Sequence, residues 1–478
     1  MAESTQKQPA SFPGQAEPAG KDPNSRGDPG KIIRLAVPIS LESVFQMGFN
    51  FVDQIIVGYL GAGAVASVGL SNSIASIALL LYASAGVGAG VMVARAFGRK
   101  DMDEVSRVAM AGQVLSGILG LFTAISFVAL SQPILQLVGA DAQLAEDAKS
   151  YFQLYAISTA PMILSSVTSA VFRSLDDSRT PMIITGSAVA LNTALGFMLV
   201  LGFGPVPKFG VAGAGLATLI SQSCRCLALM AILYTGKKEL TWLWPGRGSK
   251  IIATGRKLVR LTAPIALSEV LWGTSTFIYT VVFTRLGTTA LAASQVSMSL
   301  ENVFIVVSAG FGPAAVAVIG QALGVGSVKA AKASAWQTIR FGLITAVVLG
   351  VLYAASSTLL PVLYPKVGKD VLQLAFWGVI LMATTQPVKV LSSVLGNGVL
   401  ASGGDTRFVL IGNLAGTYAV GLPAAIGLGL LAPFGFYGIF AAKILEEVVK
   451  MTCFLVRFQT GRWYKSALKE ARKKEEEP

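Results

Sequence analysis

The sequence contains no histidine, only three cysteines and few charged residues. Without histidine there is no imidazole to bind a metal ion or to exchange protons near neutral pH. Cys224, Cys226 and Cys453 form no CxxC pair, so a disulfide framework is not predicted. The glycine-rich segments contain neither GxGxxG nor a phosphate-binding loop of the GxxxxGKS type, so a nucleotide site is not predicted either.

Hydrophobic residues are the abundant component of the chain. Of the 478 residues 53% are hydrophobic and 13% are charged, with a mean hydropathy of +0.65. Such a composition predicts an integral membrane protein. Because the apolar stretches have the length of helices rather than of short alternating strands, the predicted fold class is all-α.

Twelve apolar segments are long enough to span a bilayer, and an even number places both termini on the same side. They cover approximately residues 31–59, 63–94, 108–130, 148–172, 181–204, 211–233, 258–284, 288–320, 334–361, 371–399, 407–431 and 433–457.

Basic residues are concentrated in alternate connections between the spans. The rich connections contain Arg95, Arg99, Lys100, Arg107, Arg173, Arg179, several residues between Arg225 and Arg260, Lys329, Lys332 and Arg407. The poor connections contain Lys149, Lys208, Arg285, Lys366 and Lys369. The positive-inside rule then predicts a multi-pass protein of the cell (inner) membrane with both termini cytoplasmic. The net charge of +13 is explained by this orientation, so no nucleic-acid partner is predicted.

An internal repeat relates the two halves of the chain. The polar segment 236–257 separates six spans from six and is predicted to be a linker. RLAVPISLESV at 34–44 matches RLTAPIALSEV at 260–270 with an offset of 226, and GVAG at 210 corresponds to GFYG at 435 with an offset of 225. Two sets of six spans in the same order have parallel topology, which predicts two pseudo-symmetric lobes with a cleft between them.

The repeat fixes the predicted domain organisation. It consists of a disordered cytoplasmic tail (1–30), an amino-terminal six-helix lobe (31–235), a cytoplasmic linker (236–257), a carboxy-terminal six-helix lobe (258–457) and a charged cytoplasmic tail (458–478).

The first span carries four polar residues, Glu42, Gln46, Asn50 and Asp53, at intervals of four, four and three. Those intervals place them on one helical face. Because ionisable groups inside a bilayer are costly, this polar stripe predicts a water-filled cavity or an ion path. We expect Glu42, Gln46 and Asn50 to line the substrate cleft, and Asp53 to lie in a separate pocket of the amino-terminal lobe.

Asp53 is the leading candidate for binding a coupling ion. The chain offers no site for ATP, so uphill transport would draw on an ion gradient or on the membrane potential. A carboxyl group in a low-dielectric cavity takes up a proton readily, whereas nearby neutral oxygen ligands would favour sodium. The alternative is that Asp53 lies in headgroup water at the outer end of its helix, roughly 33 Å from Lys31.

The second half carries its candidate residues at other depths. Glu269 lies nine residues after Arg260, on a face that continues through Thr276. Under the repeat offset the counterpart of Glu269 is Ser43, and the counterpart of Asp53 is Tyr279. We assign Thr276 to the substrate cleft and Glu269 to ion coupling.

Three further groups of residues have weaker signals. Glu301, in the eighth span, has either a role in the substrate cleft or one in helix packing. Lys389 in the tenth span is uninformative. Lys443, Glu446, Glu447 and Lys450 have spacings that favour pairing along one helix, so a structural or snorkelling role is predicted for these four. Pro38 and Pro264 occupy equivalent positions of the two halves and are predicted hinges.

The residues from about 31 to 457 resemble the multidrug and toxic compound extrusion (MATE) transporters. The resemblance rests on a proline-led first span ending in FVDQIIVGYLG, on PIALSEVLW followed by TRLGTTALAA, on the DDSRTPM and GGDTRF connections, and on VAGAGLAT. It implies antiport of organic, often cationic, compounds in exchange for protons or sodium, with no other cofactor, by a monomer in the lipid bilayer.

The same resemblance assigns individual residues. Asp53 matches a first-span aspartate tied to cation coupling, and Asn192 matches a fifth-span asparagine that assists it, which together form a candidate sodium site. Gly196 stands where some members carry a second aspartate. Glu269 matches a seventh-span glutamate, whereas a tenth-span aspartate of one branch has no counterpart near Val390.

Other functions remain open at this point. An exporter of organic anions such as carboxylic acids has the same architecture, as has a lipid-intermediate flippase, for which a cationic cleft would be needed. An intramembrane enzyme is disfavoured because no histidine and no nucleophile paired with a base are evident. A receptor would not need two matched lobes.

Overall fold

The computed structural model describes residues 29–137, 142–202, 207–236, 240 and 248–469. The predicted disordered tail lies outside these residues except for Pro29 and Gly30, as do the end of the predicted charged tail and most of the first half of the linker. Within the described part every regular element is a helix and no strand occurs. The predicted all-α fold class is therefore confirmed.

Twelve long helical segments make up most of the described part of the chain, and a short helix, Ser131–Leu137, follows the third of them. The twelve segments are α1 (Pro29–Gly58), α2 (Ala62–Gly98), α3 (Met102–Ala129), α4 (Ala142–Ser174), α5 (Arg179–Leu201), α6 (Val211–Gly236), α7 (Gly248–Arg285), α8 (Thr288–Gly324), α9 (Val328–Leu363), α10 (Lys369–Leu400), α11 (Thr406–Leu431) and α12 (Gly435–Gln459). Among the described residues ten of these segments meet the length and hydropathy expected of a membrane span, and α2 and α12 have comparable length. The count of twelve agrees with the sequence prediction.

One predicted boundary differs from the structure. Helix α7 begins at Gly248, so residues 248–257 of the predicted linker are helical. The basic residues of this stretch favoured a connection over a helix. Ile251 and Leu258 are nevertheless seven residues apart, a helical spacing, and Leu258 is fully buried in the structure. The helix therefore extends well beyond the apolar part of the span.

The internal repeat is visible in the backbone of the first connection of each half. Gly61 and Gly287, 226 residues apart, precede α2 and α8 with φ angles of +108° and +105°. A positive φ of this size is accessible to glycine but costly for other residues, so both turns need a glycine there. The two halves thus enter their second helix in the same way.

The two lobes, α1–α6 and α7–α12, meet at the end of the molecule that carries the arginine- and lysine-rich connections, here called the basic end. A hydrophobic cluster joins Ile32 and Leu35 of α1 to helices of the carboxy-terminal lobe. Lys31 Nζ donates to Gln321 Oε1 at 2.7 Å, and Arg95 donates through Nε and Nη2 to the Ser402 carbonyl at 3.0 and 2.6 Å. These contacts hold the lobes together on that side.

At the opposite, distal end each lobe packs on its own core. Ile56, Val57 and Tyr155 belong to a cluster of the amino-terminal lobe, and Tyr279 and Phe283 to one of the carboxy-terminal lobe. No hydrophobic cluster of described residues joins the lobes at this end. The cleft between them therefore opens toward the distal side.

Both predicted hinge helices continue through their prolines without interruption. Pro38 has no N–H to donate to the carbonyl of Arg34, four residues earlier. The Ser178 hydroxyl, from the link between α4 and α5, donates to that carbonyl instead, at 3.3 Å. The backbone at Pro38 is thus stabilised by its own lobe, and bending there stays a prediction.

Candidate functional site

Asp53 is buried inside the amino-terminal lobe, with 3% of its surface exposed. Its Oδ2 accepts a hydrogen bond from Thr218 Oγ1 of α6 at 3.0 Å. The same hydroxyl lies 3.5 Å from Nδ2 of Asn192, which α5 supplies. The carboxyl group is thus held between three helices, which is inconsistent with the alternative that it lies in headgroup water.

No cation balances this carboxyl group among the described residues: no lysine or arginine lies within ion-pair distance of Asp53. The walls around it include Tyr151 and Tyr155, whose rings stack 5.8 Å apart. Oδ1 of Asn192 is also buried, with no hydrogen-bond partner in the described structure. A carboxylate, an amide oxygen and a hydroxyl are groups that suit either a bound proton or a small hard cation.

The space beside Gly196 is occupied by the end of a side chain from α1. A Cβ at this position would lie 2.8 Å from Cδ1 of Ile56, on the α1 face that also carries Asp53. The end of the isoleucine side chain would have to shift to admit a longer side chain at 196. Asp53 is the only carboxylate in this part of the described structure.

The structure places Glu42 away from the predicted substrate cleft. Its carboxylate is fully buried and accepts from Arg173 Nη2 at 2.7 Å and from Arg225 Nη2 at 3.2 Å, with Thr185 Oγ1 at 3.4 Å. Glu42 and Asp53 are eleven residues apart, close to three helical turns, so both face the interior of their lobe. The assignment of Glu42 to the cleft is therefore wrong for this conformation.

Gln46 and Asn50 lie on the other edge of the same stripe and are exposed. At roughly 100° per residue they are rotated about 40° and 80° from Glu42 around the helix axis. That rotation is enough to move them from the lobe interior to its surface. Their assignment to the substrate cleft stays a prediction.

Glu269 is half-buried and makes no hydrogen bond or ion pair with any described residue. Trp272 and Thr276 follow it at intervals of three and four along one face of α7, and both line a pocket of the carboxy-terminal lobe. Glu269 thus lies one turn from that pocket on its basic side. Its role in ion coupling stays a prediction.

The pocket that Trp272 helps to line, here called the C-lobe pocket, lies within the carboxy-terminal lobe. It is lined by Trp272, Ser275, Thr276, Tyr279, Met382, Thr385, Lys389, Lys443, Glu446 and Glu447. Glu446 accepts hydrogen bonds from Tyr279 at 2.6 Å, from Thr417 at 2.7 Å and from Lys450 at 2.5 Å. Lys450 also contacts Glu447 at 3.3 Å.

Glu301 lies behind the lining of the C-lobe pocket. It is buried and pairs with Lys389 Nζ at 2.8 Å, and it is Lys389 that lines the pocket. Of the two roles considered for Glu301, helix packing fits this position better. Lys443 also reaches the pocket, with its Nζ 5.0 Å from the centre of the Tyr279 ring.

Sequence reasoning did not predict that side chains of other helices bind Glu446 of α12. The expected pairing along that helix is present between Lys450 and both glutamates, but Tyr279 and Thr417 come from other helices. Thr417 lies in a π-helical turn, Leu414–Gly421, which no spacing rule predicts. The one available signal was the repeat, which placed Tyr279 at the position equivalent to Asp53.

Comparisons with known proteins agree with this architecture. The sequence model of the MatE family matches residues 38–198 and 264–426. A protein of Thermotoga maritima described as a probable multidrug resistance protein NorM is 24% identical over 450 residues, which cover 92% of this chain and 94% of the relative. The human multidrug and toxin extrusion protein 1 is 26% identical over 431 residues, covering 89% and 73% of the two chains.

A solved structure has the same fold. It is described as the outward-facing conformation of a multidrug resistance MATE family transporter of the MOP superfamily. The two structures superpose with a TM-score of 0.82 at 22% sequence identity, covering 93% of this chain and 98% of the other. At that identity the likeness establishes the fold alone.

Proposed function

This chain belongs to the MatE family of transporters, and on that premise we propose that it is a secondary-active antiporter. It exports organic compounds, cationic or amphipathic, from the cytoplasm in exchange for protons or sodium. The Thermotoga maritima relative is described as a probable multidrug resistance protein and the human relative as a multidrug and toxin extrusion protein, which supports the export of organic compounds. No enzymatic step is part of the proposal.

The observation that carries the proposal is the uncompensated burial of Asp53. A bare carboxylate that is removed from water and has no positive partner is costly. A proton or a sodium ion removes that cost, with Thr218 and Asn192 as the neighbouring oxygen groups. Binding of the ion therefore changes the local free energy of the lobe, which is what coupling requires.

The arrangement of the lobes supports alternating access. With the basic end on the cytoplasmic side, as the positive-inside rule predicts, the present conformation opens outward. The joint formed by Lys31, Gln321, Arg95 and Ser402 then closes the cytoplasmic side. Export requires this joint to open while the distal side closes.

The test replaces Asp53 with asparagine, which has the same shape and cannot carry a charge. In energised vesicles we expect Asp53→Asn to lower efflux of a fluorescent organic cation by about tenfold or more, since a step worth about 1.4 kcal/mol changes a rate tenfold. Asp103→Asn is the matched control, because Asp103 is exposed at the start of α3. Near-normal efflux by Asp53→Asn at equal expression would refute the proposal.

The coupling ion is identified in proteoliposomes with the wild-type chain. Efflux is measured with a sodium gradient and no pH gradient, and then with the two conditions reversed. If neither the sodium gradient nor the pH gradient drives efflux, the proposal of secondary-active antiport is contradicted.

A further inference from the structure

The segment that follows α12 folds back against the basic end of the molecule. Helix α12 ends at Gln459, and Gly461, with a φ angle of +64°, reverses the backbone. The ring of Trp463 then stacks on that of Phe458, in the last turn of α12, with the ring centroids 5.8 Å apart. Trp463 is the largest of the fully buried side chains among the described residues. A residue of the predicted charged tail is thus part of the packed interior.

Trp463 contacts the connection between α10 and α11, residues 402–404, here called the 402–404 turn. A Cβ at Gly403 would overlap the Trp463 carbonyl oxygen and would lie 2.7 Å from Cε3 of the indole ring. A Cβ at Gly404 would lie 3.0 Å from Nη2 of Arg95, which belongs to the amino-terminal lobe. The turn therefore contacts the segment after α12 through one glycine and the other lobe through the next.

The 402–404 turn presents the acceptor of the joint between the lobes. Both Nε and Nη2 of Arg95 donate to the single carbonyl of Ser402, so the position of that carbonyl decides whether both hydrogen bonds form. Asp405, directly after the turn, accepts from Nε and Nη2 of Arg457 in α12 at 2.6 and 3.2 Å. The end of α12 and the segment after it thus fix the turn from the side of the carboxy-terminal lobe.

The backbone of the turn needs such neighbours because two of its residues are consecutive glycines. Glycine has more conformational freedom than any other residue, so surrounding groups determine where this carbonyl lies. Nε1 of Trp463 is buried without a hydrogen-bond partner among the described residues, which leaves the packing of the ring as its contribution. Truncation of a buried ring of this size leaves a cavity, and the turn could shift into it.

We propose that Trp463 is a positioning residue for the joint between the lobes. It holds the 402–404 turn where the Ser402 carbonyl accepts both hydrogen bonds from Arg95, and it thereby stabilises the conformation that is closed at the basic end. This role rests on the alternating access proposed above and adds a further element to it. The segment after α12, which contacts the cleft at no described residue of the C-lobe pocket, sets how readily the basic end opens.

The test measures the distance between spin labels at Tyr59 and Phe277, exposed residues of the amino-terminal and carboxy-terminal lobes. The full-length chain, with its three native cysteines replaced by alanine, is studied in nanodiscs without substrate or ion gradient. Trp463→Ala should raise the ratio of short to long distances about threefold or more, as expected when hydrogen bonds of the joint are weakened. Trp463→Phe keeps a buried ring and should stay within about twofold of the unsubstituted ratio.

Two further variants separate this role from a general loss of packing. Trp336→Ala is the matched control, because Trp336 packs edge-on against the same Phe458 but is 54% exposed, and it should leave the ratio unchanged. Gly403→Ala perturbs the same contact from the side of the turn, since its methyl group needs the space of the Trp463 carbonyl. It should raise the ratio as Trp463→Ala does, even if Trp463→Ala does not fold.

The combination of Trp463→Ala with Arg95→Met tests whether the tryptophan acts through the turn. If it does, Trp463→Ala should change the ratio by less than about twofold once the arginine is absent. Independent effects of the two substitutions would show that Trp463 closes the basic end by packing alone, which overturns the proposal.

An unchanged ratio in both Trp463→Ala and Gly403→Ala would also overturn it. If Arg95→Met shifts the ratio in that case, the positioning role of Trp463 fails while alternating access stands. If Arg95→Met has no effect either, the joint itself does not control opening and the positioning role fails with it. Ion coupling at Asp53 is measured by efflux and is not touched by either result.

Discussion

The amino-terminal and carboxy-terminal lobes share a helical framework but balance their buried charges in different ways. The acid at the centre of the first lobe, Asp53, has only neutral partners. The second lobe sets three carboxylates against three lysines. Those residues are Glu301, Glu446, Glu447, Lys389, Lys443 and Lys450. A duplicated framework has thus produced one lobe whose central acid has no counter-ion among the described residues and another in which the buried charges are largely paired with one another.

The amino-terminal lobe also contains both kinds of buried acid, one paired with arginines and one without a counter-ion. Eleven residues separate Glu42 from Asp53 on the same buried face of α1. Glu42 is clamped by Arg173 and Arg225, whereas Asp53 has no arginine near it. Neutralising Glu42 is therefore expected to destabilise the folded chain, whereas neutralising Asp53 is not.

The largest expected effect is on the stability of Glu42→Gln. Removing one partner of a buried ion cluster leaves Arg173 and Arg225 uncompensated, which costs about 3–5 kcal/mol. Asp53→Asn removes a charge that has no counter-ion and should not destabilise the chain. Thermal unfolding of the purified variants measures both effects. Equal unfolding temperatures for Glu42→Gln and wild type would mean that the arginines are neutralised in some other way.

Sequence reasoning predicted the helices, the repeat and the burial of Asp53, because each depends on composition or on spacing along one chain segment. It could not separate Glu42 from Gln46, since spacings of four and three define an arc of the helix but not which edge of the arc is buried. The neighbours of Glu446 were equally hidden. Tyr279 and Thr417 reach it from other helices, and such contacts leave no trace in local periodicity.

The start of α7 shows another limit of sequence reasoning. Residues 248–257 are basic, and a basic segment between apolar spans is ordinarily a connection. Long basic side chains can nevertheless extend from a helix into water while its apolar residues stay packed. Leu258, buried against the second and third helices, anchors the end of this extension.

An intermediate effect is expected at the joint between the lobes. Arg95 donates two hydrogen bonds to the Ser402 carbonyl, and a hydrogen bond from a charged group contributes about 1.5–3 kcal/mol. Arg95→Met should therefore shift the population away from the conformation that is open at the distal end. Spin labels at Tyr59 and Phe277, both exposed, report the distance between the distal ends of the lobes.

The expected result for Arg95→Met is a larger fraction of short distances between those labels than in the wild-type chain. Arg99→Met is the matched control, because Arg99 pairs with Glu104 within its own lobe. An unchanged distance distribution in Arg95→Met would show that the hydrophobic cluster around Ile32 and Leu35 closes the basic end by itself. The two lobes would then be joined by packing rather than by this arginine.

The smallest expected effect concerns the backbone at Pro38. Ser178→Ala removes the hydroxyl that donates to the Arg34 carbonyl and should cost about 1 kcal/mol, the net contribution of a typical hydrogen bond. In Pro38→Ala the restored N–H can reach the Arg34 carbonyl, so adding Ser178→Ala to that variant should cost less. Thermal unfolding of the two single variants and the double variant measures the coupling. Additive effects on the unfolding temperature would mean that Ser178 and Pro38 act independently. The hydrogen bond from Ser178 to the Arg34 carbonyl would then not depend on the N–H that Pro38 lacks.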